Sequence, residues 1–170
     1  LFEQEPGRHF VDTVRESDSE TSVIARVPHS SGLLNEQVTP DTVLEDGDHR
    51  SHRPEEWYEA GWEKVEAIRF LEDPDHADGT RTMAQAAIRW LLAHDEVASV
   101  TPTFRDGDDI AEWSAASDVP SLSDAEYDRV QELYARNFDI DRDDGMDALR
   151  TSVDGEDIEA AGLDKRAASY

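Results

Sequence analysis

The chain has 170 residues, of which 41 are acidic and 16 are basic, and its formal net charge is −25 at pH 7. This length is that of one ordinary domain, and the deficit of Lys and Arg disfavours nucleic acid as a direct partner, since phosphate backbones are bound by clustered cations. Cysteine is absent, which excludes disulfides, thiolate metal sites and cysteine nucleophiles.

The first predicted elements are a short helix and a strand. Apolar residues recur at helical spacing from Arg8 to Arg15, behind Pro6-Gly7. The compact β-branched run from Ser22 to Val27, closed by Pro28, is typical of a buried strand. Residues 35–53 form a polar connector that is too long for an ordinary loop, so we expect it to be functional or mobile.

Two helices are predicted next. The first begins at Pro54 and ends near Asp73-Pro74. Its expected buried stripe consists of Tyr58, Trp62, Val65, Ile68 and Leu71. The second runs from Thr82 to about His94 and opens with a capping box between Thr82 and Gln85. Its expected buried face consists of Ala87, Ile88, Leu91 and Leu92.

Strand and helix alternate in the following part. Val97–Thr101 is a second short strand, and Ile110 with Trp113 marks a helix after it. Ser123 and Glu126 form another capping box. The helix that it opens carries an apolar stripe of Tyr127, Val130, Leu133, Tyr134 and Phe138.

Each strand leads into a segment that could bind an anion. VIARVPHSSGLL, residues 23–34, passes from strand to Pro, hydroxyls and Gly, which let backbone amides approach oxygen atoms closely. VASVTPTFRDGDDIAEWSAA, residues 97–116, passes from strand to Arg105 and a helix N-terminus, which both favour negative charge. The competing interpretations are ordinary turns and an ion pair between Arg105 and one of the three aspartates that follow it.

The helix sequence TMAQAAIRWLLA lies between these two segments. The three sequences, in this order and at this spacing, resemble the aldo/keto reductase family over about Leu1 to Phe138. The resemblance implies an α/β fold that is the C-terminal part of a (β/α)8 TIM barrel, mostly helical with two short parallel strands. Residues 139–170 are expected to form an acidic, partly irregular tail.

The resemblance also implies an NAD(P)H-dependent oxidoreductase that reduces small carbonyl compounds, with NADP or NAD as cofactor. Loops after the last two barrel strands are common phosphate sites. In the family, the pyrophosphate is wrapped by the segment that matches Pro28, His29, Ser30, Gly32 and Leu34. The segment that matches Arg105 and its followers, Asp109 among them, holds the adenosine phosphate.

The chain departs from the family pattern at four positions in these segments. His29 stands in place of a Leu, Thr103 of a Gly, Asp109 of a Gln, and Trp113 of an Asn that generally contacts adenine. Acids near Arg105 repel a 2'-phosphate, by an amount that high salt reduces. The choice between NAD and NADP is therefore open.

Nothing in the chain matches the family's catalytic set of Asp, Tyr, Lys and His. We therefore expect no catalytic residue in this chain and no activity without a missing N-terminal half or another chain. The start at Leu1 rather than Met favours an upstream part outside this sequence. The alternative is a catalytically silent acidic scaffold or assembly module derived from the barrel, and unpaired strand edges predict that the isolated fragment oligomerises.

No metal site and no membrane partner are predicted. His49 and His52 are flanked by arginines, and Asp139, Asp141 and Asp143 lack the Gly and Glu of a calcium loop. No apolar run approaches the span of a bilayer, and the first ten residues do not form a signal-peptide core. The acidic charge and the use of Arg rather than Lys are typical of a salt-adapted cytoplasm, so we expect a cytoplasmic protein.

Overall fold

The structure is a computed structural model that describes residues 1–2, 4–17, 20–48, 50–51, 53, 55–72 and 80–140. Its helices and strands follow in the order α1 (Glu5–Glu16), β1 (Val23–Arg26), α2 (Glu55–Ala67), α3 (Met83–Leu92), β2 (Val97–Thr101), α4 (Gly107–Ser114) and α5 (Asp124–Ala135). Short 3-10 turns lie at Ser30–Gly32, Arg69–Glu72, Ala115–Ser117 and Asn137–Asp139. The predicted tail from residue 141 onward, His49 and His52 lie outside the described residues.

Strands β1 and β2 pair in parallel, with an irregularity in the register after Val23. The chain between them contains α2 and α3, because parallel strands need a long crossover connection. The prediction that the first strand is buried was wrong, since its residues alternate between half-buried and exposed, and Ile24 is 65% exposed. The reason is that, in the part of the chain described here, β1 pairs only with β2 and the main core lies elsewhere.

The main core is helical. It is formed by α2, α3 and α5, by the first two residues and by the chain just after β1. The predicted stripe is confirmed in its second half, where Val65, Ile68 and Leu71 are fully buried, whereas Tyr58 and Trp62 are half-buried. The glutamates between them face water, as expected of an amphipathic helix. The helix is shorter than predicted, since α2 ends at Ala67 and Leu71 lies in the 3-10 turn that follows.

Helix α3 is buried on more than one side. Met83, Ala86 and Trp90 belong to the main core, while Ala84 and Ile88 form a smaller cluster. That cluster is completed by Trp113 and Ala116 from the chain after β2. The predicted face was therefore too narrow, and of its members Leu91 and Leu92 are only half-buried.

Both capping boxes are confirmed. The Thr82 hydroxyl accepts from the Gln85 amide while the Gln85 side chain accepts from the Thr82 amide, and Ser123 and Glu126 repeat the arrangement. These reciprocal bonds satisfy amides that the first turn of a helix leaves without partners. The starts of α3 and α5 are thus encoded locally.

The turn after β1 is pressed directly against α2. A Cβ atom at Gly61 would lie 2.5 Å from Leu33 Cδ1, so a larger residue there would force the Leu33 side chain to shift. Leu33 and Leu34 are buried in the main core. The core therefore anchors the segment in which the sequence places its first anion-binding motif.

No helix among the described residues has both the length and the apolar character needed to cross a bilayer.

Candidate functional site

The two predicted segments meet at one hollow of about 350 Å³. Residues 26–29 and 31–32 form one wall, and Thr103 and Arg105 form the opposite wall. The connector closes the hollow with Asn35, Gln37 and Arg50. Segments that are far apart in sequence thus build one concave surface, which we call the arginine hollow because Arg26, Arg50 and Arg105 line it.

The turn that forms the first wall has an unusual backbone. Val27, Ser30, Ser31 and Gly32 all have positive φ, at 55°, 47°, 57° and 100°. Left-handed conformations are costly for residues other than glycine, above all for β-branched ones, and persist where the surroundings enforce them. The amides of Gly32 and Leu34 both donate to the His29 carbonyl at 3.1 Å, so the turn is closed by its own hydrogen bonds.

His29 joins this turn to α3 and α4. Its ring is 5% exposed and its centroid lies 4.7 Å from that of Trp113. Burial lowers the pKa of His29 to about 4, although a hydrogen bond with the Ala84 backbone acts in the opposite direction. The ring is therefore neutral at physiological pH, and its Nε2 atom has no hydrogen-bond partner among the described residues.

Arg105 is held by an aspartate of the following helix. Asp109 Oδ2 accepts from the Arg105 amide at 2.9 Å and from Nε at 3.2 Å, and Oδ1 accepts from Nη2 at 3.3 Å. This hydrogen bonding holds the pKa of the Asp109 carboxyl below its usual range. Of the competing interpretations of Arg105, the structure therefore contains the ion pair, in which Arg105 lines the hollow and Asp109 does not.

The other two arginines differ in their surroundings. Arg50 is bound by Asp48, which accepts from Nε at 2.9 Å and from Nη2 at 2.6 Å. Arg26 makes no ion pair with any residue that the structure describes. Its guanidinium is the cation at the hollow that is least compensated by the protein itself.

Seven residues that line the hollow were not among the predicted site residues, namely Arg26, Val27, Ser31, Asn35, Gln37, Arg50 and Thr103. A signal was present for Arg26, because it is a cation at the carboxyl end of a predicted strand. The three connector residues lie in an irregular stretch without periodicity, so only the unusual length of the connector marked them. The buried Oδ1 atom of Asn35 has no partner among the described residues.

Only some of the predicted site residues line the hollow. Pro28, His29, Gly32 and Arg105 line it. Ser30 belongs to the same turn, whereas the Leu34 side chain is fully buried in the main core. Within the described part of the chain, no group of three or more His, Asp or Glu residues is arranged to hold a metal.

Parallel strands joined through helices, with a hollow beyond their carboxyl ends, are the arrangement that repeats in an α/β barrel. The chain belongs to the aldo/keto reductase family, whose model, described as "Aldo/keto reductase family", matches residues 3–135. The resemblance noted in the sequence and the fold that it implies, a part of a (β/α)8 barrel with two parallel strands, are thereby confirmed.

Two solved structures share this fold, the holo and apo forms of the aldo-keto reductase AKR11C1 from Bacillus halodurans. Each is 23% identical to this chain with a TM-score of 0.51, and each match covers 78% of this chain. The match covers 39% and 40% of those two chains, so this chain spans less than half of their length. No curated protein matches the sequence.

Proposed function

We propose that this chain forms the cofactor-phosphate side of an NAD(P)H-dependent oxidoreductase that reduces small carbonyl compounds. The observation that carries the proposal is the meeting of the segments after β1 and β2 at the arginine hollow. Membership of the aldo/keto reductase family supports it. A nicotinamide dinucleotide, when bound, supplies the hydride that such a reduction needs.

The residues present fit a dinucleotide diphosphate. Guanidinium groups bind phosphate oxygens through charge-assisted and often paired hydrogen bonds, and three of them face one hollow. Gly32 also lines the hollow, and an added Cβ atom there would lie 3.1 Å from Arg50 Nη1. In this proposal Pro28, Ser30 and Gly32 contact the diphosphate together with Arg26, and Arg105 binds the phosphate of the adenosine.

His29, Leu34 and Asp109 have supporting parts in the proposed site. The buried ring of His29 and the buried side chain of Leu34 hold the turn in place from its two sides. Asp109 fixes the orientation of Arg105. Loss of any of these three should alter the shape of the hollow rather than remove a direct phosphate contact.

We infer that the groups that transfer the proton to the carbonyl come from outside this chain, either from other residues of the same polypeptide or from another chain. No stretch of the sequence matches the family's catalytic set. The small carbonyl substrate would then lie between this chain and the part that supplies those groups. We further propose a cytoplasmic protein adapted to high salt, an interpretation that the net charge of −25 supports.

Titration of NADH and of NADPH into the purified chain in molar KCl, followed by nicotinamide fluorescence, tests the proposal. Because the described residues of this chain build the whole hollow, we expect saturable binding of at least one dinucleotide. Arg26→Gln should weaken it by about tenfold through loss of a charge-assisted contact.

The matched control is Arg136→Gln, which removes an exposed arginine paired with Asp139 outside the hollow. This variant should bind like the wild-type chain. Absence of saturable binding for both dinucleotides, or an equal loss in the two variants, would overturn the proposed function.

A further inference from the structure

A second hollow of about 370 Å³ lies against the turn after β1. Four residues at the end of β1 and in this turn line both this hollow and the arginine hollow, namely Arg26, Val27, Pro28 and Ser31. The other four lining residues are Leu1, Ser30, Arg53 and Leu91. We call it the Arg53 hollow, because Arg53 lines it and does not line the arginine hollow. The two hollows thus adjoin each other, with Arg26 at both.

The charge of the Arg53 hollow is opposite to that of the chain. Acidic residues outnumber basic ones by 41 to 16 in the sequence, yet two of the eight described residues that line this hollow are arginines and none is acidic. Neither Arg26 nor Arg53 makes an ion pair with a residue that the structure describes. Two like charges at one cavity repel each other, and an anion that binds both offsets this repulsion. The hollow therefore favours a negatively charged ligand.

Arg53 is positioned by an aromatic ring rather than by a carboxylate. Its Cζ atom lies 4.0 Å from the centroid of the Trp57 ring, and Trp57 itself is buried. A cation–π contact of this kind holds the guanidinium in place and leaves its charge uncompensated. The two arginines that aspartates bind line only the arginine hollow. The Arg53 hollow therefore has a fixed guanidinium whose charge no described carboxylate neutralises.

The rest of the lining suits a small organic anion. Leu1, Val27 and Leu91 are apolar, whereas Ser30 and Ser31 carry hydroxyl groups. Guanidinium and hydroxyl groups donate to the oxygens of a carboxylate or of a phosphate monoester, and the apolar side chains can contact carbon atoms. The hollow thus fits a compact molecule that combines an oxyanion with a short carbon skeleton.

We propose that the Arg53 hollow binds the oxyanion of the substrate, so that the substrates are small carbonyl compounds that carry a carboxylate or a phosphate group. This inference rests on the proposed function, in which the arginine hollow holds the dinucleotide diphosphate. A reductase holds its substrate beside the cofactor, because hydride passes directly between them. The hollow that shares Arg26 is such a neighbouring position. Arg53 is then a specificity-determining residue that selects anionic carbonyl compounds over neutral ones.

Titrations with pyruvate, dihydroxyacetone phosphate and neutral dihydroxyacetone test this inference, with the arginine Nε–H signals of the chain followed by NMR. Ionic strength is held constant, because salt screens the attraction. At least one of the two anions should bind about tenfold more tightly than dihydroxyacetone, and the stronger one identifies the charged group. Arg53→Gln should weaken binding of that anion by about tenfold, but should change NADH binding by about twofold or less. Arg26→Gln should weaken binding of both the anion and NADH.

The matched control is Arg129→Gln, which removes an exposed arginine that lies 3.8 Å from the centroid of the Phe70 ring, outside both hollows. This variant should bind every ligand like the wild-type chain. Equal binding of the anions and dihydroxyacetone, or an equal loss in Arg53→Gln and Arg129→Gln, would overturn this inference and leave the proposed function standing.

Absence of NADH binding, while the anion still binds through Arg53, would instead overturn the proposed function and with it the assignment of the anion as a substrate. The comparison of charged with neutral compounds on the wild-type chain is decisive even if Arg53→Gln fails to fold.

Discussion

His29 stands where the family pattern has leucine, and the structure gives this residue an apolar environment of the same kind. Its ring is buried against Trp113 and the backbone of α3. A buried imidazole is neutral because desolvation disfavours its charged form. At this position the histidine therefore packs like an apolar residue, but its protonation in acid destabilises the folded chain.

Stability should depend on pH through His29. The folded chain binds a proton at this ring with a pKa of about 4, against the usual 6.5, so the unfolded chain holds more protons between these values. The neutral His29 ring contributes about 3 kcal/mol at most to the free energy of unfolding. This contribution is fully present above pH 6.5 and is lost as the pH falls to about 4. Urea unfolding of His29→Leu across this range should show a shallower slope than the wild-type chain.

The exposed His9, changed to leucine, provides the control for this measurement and should keep the wild-type slope. A slope that is the same in His29→Leu and in the wild-type chain would contradict the assignment of a neutral, buried ring.

Gly32 is the residue of the turn at which a side chain is least tolerated. Its φ is +100°, and an added Cβ atom would lie 3.0 Å from Val38 Cγ2 and 3.1 Å from Arg50 Nη1. Gly32→Ala should therefore destabilise the chain by about 1–3 kcal/mol and weaken dinucleotide binding. Gly7→Ala, in an open position of α1, should instead raise the unfolding free energy by about 0.5–1 kcal/mol.

Chemical denaturation of both variants, followed by circular dichroism, measures this difference. If Gly32→Ala is as stable as the wild-type chain, the backbone of the turn is not constrained as the structure has it.

At the scale of elements, the sequence predicted where helices begin better than it predicted how deeply the first strand is buried. The capping boxes at Thr82 and Ser123 are local signals, so their sequence alone places the starts of α3 and α5. The burial of β1 depends on what covers it, which a β-branched run cannot reveal. The same limit explains why α3, packed between two clusters, is buried more widely than its apolar periodicity indicates.

Arg81 bonds to parts of the chain that are far apart in the sequence. Its guanidinium donates to the Leu71 carbonyl at 2.8 Å and to the carbonyls of Pro120 and Ser121, and it pairs with Glu126. It is 5% exposed. Arg81→Met should cost about 3–5 kcal/mol of unfolding free energy, because a buried carboxylate and several carbonyls lose their donor.

The comparable change at an exposed site, Arg136→Met, should cost less than about 1 kcal/mol, since its ion pair is on the surface. Thermal unfolding of the two variants at neutral pH distinguishes these effects. Similar losses of stability in both would show that Arg81 does not join these elements.

At the scale of the whole molecule, the sequence indicated the two distant segments that form the hollow, but it did not indicate every residue that lines it. The segments at residues 23–34 and 97–116 were identified by their motifs, and the parallel pairing of β1 with β2 brings them together. Arg50 reaches the hollow through an irregular connector whose path depends on tertiary packing, such as the bond from the Trp62 indole to the Val38 carbonyl. Local patterns do not encode such a path.

The net charge of −25 should make stability depend on salt. Repulsion among carboxylates opposes the compact state, and potassium ions screen it over shorter distances as their concentration rises. We expect the thermal midpoint to rise by several degrees between low and molar KCl, in line with a gain of about 1 kcal/mol or more. A midpoint that is constant or falls with KCl would contradict the proposed adaptation to salt.

Amide NMR of the ¹⁵N-labelled chain, titrated with NADH in molar KCl, tests whether the arginine hollow is the dinucleotide site. Saturable shifts should concentrate in the residues that line the hollow, which are residues 26–29, 31–32, 35, 37, 50, 103 and 105. Shifts that are absent, or that concentrate elsewhere, such as around Leu92 and Ile110 in the apolar groove between α3, β2 and α4, would contradict this assignment.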